Sequence, residues 1–219
     1  MPESPFGTLG EGRAAVAQTT QNASADARFN FPNYLIRRKV MKLVGGAFFV
    51  DDPNGNLVLY ANQKGWKLKE DLRLYTGEDM TRELLVIQAR SVLDLGATYD
   101  VTDSATGQKI GALRRKGLKS MIQDEWAVLD AQDREMGTIK EDSLVLALIR
   151  RFIDLATLFL PQSYHCKFGE RAVASYKQTK NPFLMKIEAD FSADTSGLLD
   201  RRLGIAAAVM LCAIEGKQH

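Results

Sequence analysis

The chain has 219 residues, 45% of them hydrophobic and 26% charged. That length suits one large β domain or two small domains, and the composition is ordinary for a globular protein. With 29 Lys and Arg against 27 Asp and Glu, the net charge of +2 excludes a polyanion-binding surface spread over the whole molecule, so any basic patch has to be local. Two cysteines, Cys166 and Cys212, are too few for a disulfide framework and suit a reducing compartment.

Residues 1–28 are rich in Ala, Ser, Thr, Gln and Gly. Such a segment buries too little surface to offset the entropy of ordering it, so a flexible tail is expected, followed by a single domain over 29–219. The segment has neither the basic start nor the apolar core of a secretory signal. From Tyr34 to Val44 the pattern is that of a strand, and Gly45-Gly46 suggests a turn or bulge. Three similar units then read as hairpins. Phe48-x-Val50-x-Asp52, Tyr99-x-Val101-x-Asp103 and Trp126-x-Val128-x-Asp130 each place an aromatic residue and a valine two apart, hence on one face of a strand. Each Asp then opens a turn, because its carboxylate can accept bonds from nearby backbone amides. The second strands are Leu57–Asn62, Lys109–Arg115 and Glu135–Lys140.

Other stretches alternate in the same way. Trp66, Leu68, Leu72 and Leu74 share a face opposite Lys67, Lys69, Asp71 and Arg73. Tyr164, Cys166 and Phe168 alternate with His165 and Lys167, and Phe183, Met185, Ile187, Ala189 and Phe191 alternate with Leu184, Lys186, Glu188 and Asp190. With Leu84–Arg90 and Arg171–Tyr176 the pattern amounts to about twelve strands, each apolar on one face. Closure into an antiparallel barrel removes the exposed edges of such a sheet.

Two segments break the alternation. Ser143 to Leu160 reads as a helix, capped by Asp142 or Ser143 and stopped by Pro161. Arg150, Asp154 and Thr157 form a narrow polar stripe on it. It suits either packing on one end of the barrel or contact with a membrane surface or a partner protein. The second is Leu198 to Ile214, which after Arg202 is apolar or glycine on every side. A helix without a polar face is buried or spans a membrane, and this one falls short of the about 20 residues that spanning needs. A lone apolar helix after many strands implies a sheet wrapped around it, with Leu203, Val209 and Leu211 in the core.

The stretches Leu35-Ile36-Arg37-Arg38-Lys39 and Gly45-Gly46-Ala47-Phe48-Phe49-Val50-Asp51-Asp52-Pro53-Asn54-Gly55-Asn56 resemble the opening hairpin of LURP-one-related proteins. Trp126-Ala127-Val128-Leu129-Asp130 and Leu199-Asp200-Arg201-Arg202-Leu203-Gly204-Ile205-Ala206-Ala207-Ala208 are similar to bacterial phospholipid scramblase-like proteins. From about residue 30 onward the resemblance implies the tubby C-terminal-like fold, a closed antiparallel barrel of about twelve strands threaded by a C-terminal apolar helix. It also implies a connection with lipids, since tubby proteins bind phosphoinositides and eukaryotic scramblases move lipid in a calcium-dependent way. The stretch comparable to the scramblase calcium segment holds Asp190 and Asp194. It departs from a calcium loop by Thr195 at the sixth position and Arg201 at the twelfth, where glycine and a bidentate Glu are wanted. The alternative is that Asp194, Thr195 or Ser196 caps the helix, with Asp200 near its positive end.

No catalytic constellation is present in the sequence. His165 and Cys166 are neighbours on a strand and so point to opposite faces, which precludes a Cys–His pair. The cysteines and histidines form no zinc cluster, and Gly107-Gln108-Lys109-Ile110-Gly111 lacks phosphate-loop spacing. A non-enzymatic protein without cofactor is expected. Basic residues cluster at Arg37, Arg38, Lys39 and Lys42, at Arg114, Arg115, Lys116 and Lys119, and at Arg150 and Arg151. Such clusters fit an anionic phospholipid surface, and a solvated outer face is the alternative. Nucleic acid is not expected, because no stacking motif accompanies them. The expected function is therefore binding of phospholipid or a membrane surface by a cytoplasmic, peripheral protein. A protein-interaction or self-association module acting through the helix at 143–160 is the alternative. An enzyme or small-ligand carrier with a pocket at the barrel mouth is a third reading.

Overall fold

The computed structural model describes residues 26–41, 45–64, 71–90, 97–116, 125–142, 162–180 and 185–215. The aspartates of the repeated hairpins are where the chain reverses. Asp52 accepts from the backbone N–H of Asn54 and Asn56 at 2.8 and 2.9 Å. Asp103 accepts from those of Ala105 and Thr106 at 2.9 and 3.0 Å. Asp130 accepts from those of Gln132 and Arg134, both at 2.9 Å. Gly55 and Gly107 supply the left-handed backbone that two of these turns require, at φ 83° and 67°.

The strands run in chain order as β1 (Asn33–Met41), β2 (Gly45–Asp51), β3 (Leu57–Lys64), β4 (Leu72–Tyr75), β5 (Glu83–Ala89), β6 (Thr98–Asp103), β7 (Lys109–Arg115), β8 (Glu125–Asp130), β9 (Glu135–Glu141), β10 (Gln162–Phe168), β11 (Arg171–Lys180) and β12 (Met185–Asp190). Each pairs antiparallel with its sequence neighbour, and β1 closes on β12 through Ile36 opposite Ile187. The result is an up-and-down barrel of twelve strands with no free edge. Its single described α-helix, α1 (Arg201–Glu215), occupies the interior. From Leu203 to Ala213 no side chain exceeds 3% exposure.

The bore accommodates a helix because the contact surfaces are small-residued on both sides. Ala206, Ala207 and Ala208 let the wall approach α1, and the strand side contributes Gly111. A Cβ on Gly111 would fall 2.5 Å from the Leu129 carbonyl oxygen and 2.8 Å from Leu203 Cδ2. The Tyr176 hydroxyl reaches in from β11 and donates to the Gly204 carbonyl at 3.2 Å.

Four sequence expectations need correction or restriction. The helix begins at Arg201 rather than Leu198, and its cap is Asp200. The Asp200 carbonyl accepts from Gly204 N–H at 3.0 Å and its carboxylate from Arg202 N–H at 2.9 Å, the usual N-cap arrangement. Asp194 instead shapes the preceding turn, accepting from the N–H groups of Leu198 and Leu199, both at 2.9 Å. Gly45 and Gly46 are strand residues, not a turn, since they pair with Lys64 and Gln63 of β3. The expected helix at 143–160, Trp66 and Leu68, Phe183, and residues 1–25 of the expected tail lie outside the described residues. Within 26–28 the chain enters a 3-10 turn, Ala27–Phe29, whose Arg28 carbonyl accepts from the Tyr34 hydroxyl at 3.0 Å.

If α1 is the core, Leu203→Ala should lower unfolding stability by about 2–5 kcal/mol through cavity formation. Gly111→Ala should cost about 1–3 kcal/mol through overpacking against Leu203 and the Leu129 carbonyl. Urea titration checks both. Relief of the second by the first should be partial, because the backbone clash stays.

Candidate functional site

An up-and-down barrel has two rims, and here they differ. At one rim the even strands turn into the next odd ones through residues 52–56, 76–82, 104–108, 131–134 and 169–170, and β12 turns into α1. The turns between strands are polar, with Met80 as their one large apolar residue, while the β12–α1 connection carries Leu198, 42% exposed. The same rim holds the anchor of α1. Arg202, whose side chain is 7% exposed, reaches Asp103 at 2.7 Å and Asp200 at 2.6 Å. Desolvation opposes the charge of Arg202, yet its two carboxylate partners raise the guanidinium pKa overall. At the other rim β1, β3, β5, β7, β9 and β11 give way to β2, β4, β6, β8, β10 and β12, and α1 ends. The connections there, 42–44, 65–70, 91–96, 117–124, 143–161 and 181–184, lie outside the described residues, but the strands fix the rim to which they attach.

The predicted basic residues separate under this geometry. On β1, strand alternation turns Arg37 and Lys39 outward and Arg38 inward. Arg37 forms a two-point ion pair with Asp51 at 2.5 and 2.9 Å and lies 5.3 Å over the Phe49 ring. Lys39 is exposed and forms no ion pair among the described residues. Arg38 is 2% exposed and donates to the carbonyls of Cys212 and Ala213, both at 3.4 Å, so it faces the last turns of α1 and not an outside surface. Its burial lowers its pKa. On β7, Arg114 reaches Glu135 at 3.4 Å and Arg115 lies 6.0 Å over the Trp126 ring. Lys116 reaches Glu135 and Glu125 at 2.8 and 3.1 Å. Lys42, Lys119, Arg150 and Arg151 lie outside the described residues.

One basic position escaped the sequence reading. Lys186 on β12 stands opposite Arg37 in the register, on the outer wall and beside Lys39's strand. The alternation of Met185, Ile187 and Ala189 marks Lys186 as outward, but only barrel closure brings it next to β1.

The carboxylates of the candidate calcium stretch are occupied by their own turn. Asp190 accepts from the N–H and hydroxyl of Ser192 at 2.8 and 2.6 Å, while Asp194 shapes its turn as described. Among the described residues no three His, Cys, Asp or Glu side chains are grouped to hold a metal ion. His165 is exposed, with Nε2 2.9 Å from Asp142. Cys166 lies on the opposite, inner face, and burial pushes its thiol up to about 12, as it does that of Cys212. An open cleft of about 400 Å³ lies at the polar rim between the start of β11 and residues 193–198, lined by Arg171, Val173, Asp194, Thr195, Ser196 and Leu198. The barrel interior itself is filled by α1.

A closed twelve-strand antiparallel barrel enclosing a C-terminal apolar helix defines a tubby-like barrel protein. The sequence profile of the LURP-one-related family matches residues 58–212, and the chain belongs to that family. An X-ray structure of a protein from Arabidopsis thaliana is similar, with a TM-score of 0.44 and 15% sequence identity over 88% of this chain and 96% of that one. A search of curated proteins finds no matching sequence.

Two outcomes test this description. With both thiols buried and raised to about 12, neither cysteine should react with a thiol reagent at pH 8 in the folded protein, and both should react on denaturation. Asp133 on the β8–β9 turn accepts from Arg90 and Lys109, which lower its pKa to about 2. Its ordinary value is about 3.9. The stabilisation is therefore present above that value and fades as pH falls toward 2. Carboxylate NMR should find Asp133 titrating near 2, and Asp133→Asn should flatten the acid limb of stability.

Proposed function

We propose that the chain is a non-enzymatic, scramblase-like member of its family that docks peripherally on an anionic phospholipid surface, with the rim opposite the Arg202 anchor as its docking face. What carries the reading is the contrast between the two rims. Connections at the docking rim hold Leu43 and Val44, Trp66 and Leu68, Val92, Leu93 and Leu95, Leu118, Met121 and Ile122, Phe183 and Leu184, and the apolar run of 143–160. Their charges are Lys42, Lys67, Lys69, Lys119, Arg150 and Arg151 against Glu70, Asp94, Asp124 and Asp154. Apolar groups interleaved with lysine and arginine are the composition of membrane-interface segments. Lys39, Arg114, Arg115 and Lys116 lie close below this rim on β1 and β7.

Two features favour peripheral contact over spanning. No described helix is long and apolar enough to cross a membrane. The outer wall presents Arg73, Arg114, Lys140, Lys177 and Glu188 to the outside, where a transmembrane barrel carries an apolar band.

Vesicle flotation tests the reading. The protein should float with phosphatidylcholine vesicles containing phosphatidylserine at low salt, and high salt should release it. At about 1 kcal/mol per basic residue near the surface, joint replacement of Lys39, Lys42, Arg150 and Arg151 by Gln should weaken partitioning by roughly a hundredfold or more. Absence of binding to anionic vesicles, or binding indifferent to these substitutions, overturns it. The run at 143–160 also suits a protein interface or self-association. In that case sedimentation would show an assembly in lipid-free solution, whereas a lipid binder can sediment as a single chain.

A further inference from the structure

Among the described residues, Arg171 is the arginine left without a partner. The others stand within 4.0 Å of a carboxylate oxygen or hold the guanidinium over an aromatic ring. Arg171 opens β11 beside the β10–β11 turn, is exposed, and has neither. An unpaired arginine on an open surface is ordinary, since water satisfies its five donors. Arg171 instead lines the cleft of about 400 Å³ at the polar rim. That volume falls in the range of small-molecule sites, about 300–1,000 Å³.

The facing wall is the chain between β12 and α1, and its own hydrogen bonds fix it. Asp190 holds its start through Ser192, and Asp194 holds its end through the N–H groups of Leu198 and Leu199. Gly197, at φ 63°, turns the chain just before Leu198. The cleft is therefore preformed, which lowers the cost of binding. On this wall Thr195 and Ser196 are exposed, and their hydroxyls have no partner among the described residues. Leu198 is 42% exposed, an unusual position for a large apolar side chain in this fold. Ala172 and Ala193, also exposed, add apolar surface to the lining. The charge in the lining limits what fits. Arg171 brings one positive charge, and Asp194 brings one negative charge whose two oxygens already accept backbone N–H groups. A monoanion balances Arg171, whereas a dianion such as a phosphate monoester would leave a charge uncompensated near Asp194. A carboxylate also matches the planar fork of a guanidinium with two parallel hydrogen bonds.

We propose that this cleft binds a small monocarboxylic acid with an apolar body. The carboxylate accepts from the Arg171 fork and from the hydroxyls of Thr195 and Ser196, and the body lies against Leu198, Ala172 and Ala193. The site is at the polar rim and uses none of the docking residues, so its test is separate from that of membrane contact.

Amide NMR of the full chain, titrated with hexanoate, decides. Hexanoate should bind saturably in the millimolar range, and the amides that move should be those of residues 171–173 and 193–198. Acetate keeps the charge without the body, hexanol keeps the body without the charge, and hexyl phosphate above its second ionisation doubles the charge. Each should bind roughly tenfold more weakly than hexanoate, or worse. Arg171→Gln should weaken hexanoate binding by roughly tenfold or more, because charged hydrogen bonds are lost. Leu198→Ser should weaken it by about fivefold. Both side chains are exposed, so both variants should fold. Lys177→Gln, a charge change further along β11, should leave binding unchanged. The proposal is overturned by the absence of a saturable shift with hexanoate, by a shift map centred elsewhere, or by undiminished binding in Arg171→Gln. Hexanol or hexyl phosphate binding as tightly as hexanoate overturns it too.

Discussion

A helix that is apolar around its whole circumference has to be walled in on every side, and α1 is walled by all the sheet the chain can make. This requirement orders the rest of the structure. It demands closure, because an open sheet would leave part of the helix wet. It favours alanine and glycine along the helix, because a barrel of this strand number leaves a bore only slightly wider than a helix. Gly111 against Leu203 and Gly204 against Phe191 show how little slack remains.

Polar chemistry is confined to the two ends of this core, and it is handled differently at each. Where α1 enters, Arg202 is held by Asp103 from the end of β6 and by Asp200, its own cap. The carboxylate of Asp103 thus has two tasks, shaping the β6–β7 turn and fixing the helix to it. Where α1 leaves, Arg38 meets carbonyl dipoles in place of carboxylates. Arg202 at the entry is charge-paired, while Arg38 at the exit keeps an unused donor at Nε.

Much of the architecture is legible because its signal is local. A period of two, an Asp at the end of each repeated strand and an all-apolar helix are readable within a dozen residues, and they suffice for a barrel around a rod. What escapes depends on register. Arg37, Arg38 and Lys39 look like one cluster in sequence, yet alternation sends the middle residue inside, and its fate turns on a helix more than a hundred residues away. Gly46 looks like a turn glycine because its purpose lies with Arg38 across the strand pair. Asp194 and Asp200 are equally plausible caps by composition, and only the backbone geometry separates them. The nearness of Lys186 to β1 exists only because the first and last strands meet.

The order of the elements along the chain has a consequence for how the protein is made. Every strand precedes α1, so during synthesis the wall emerges from the ribosome before the thing it surrounds. Neighbouring strands can pair as they appear, but the inner faces of Phe48, Leu59, Leu74 and Ile87 have nothing to pack on until the final segment is free. Closing the β1–β12 seam around α1 therefore needs a segment made after all twelve described strands.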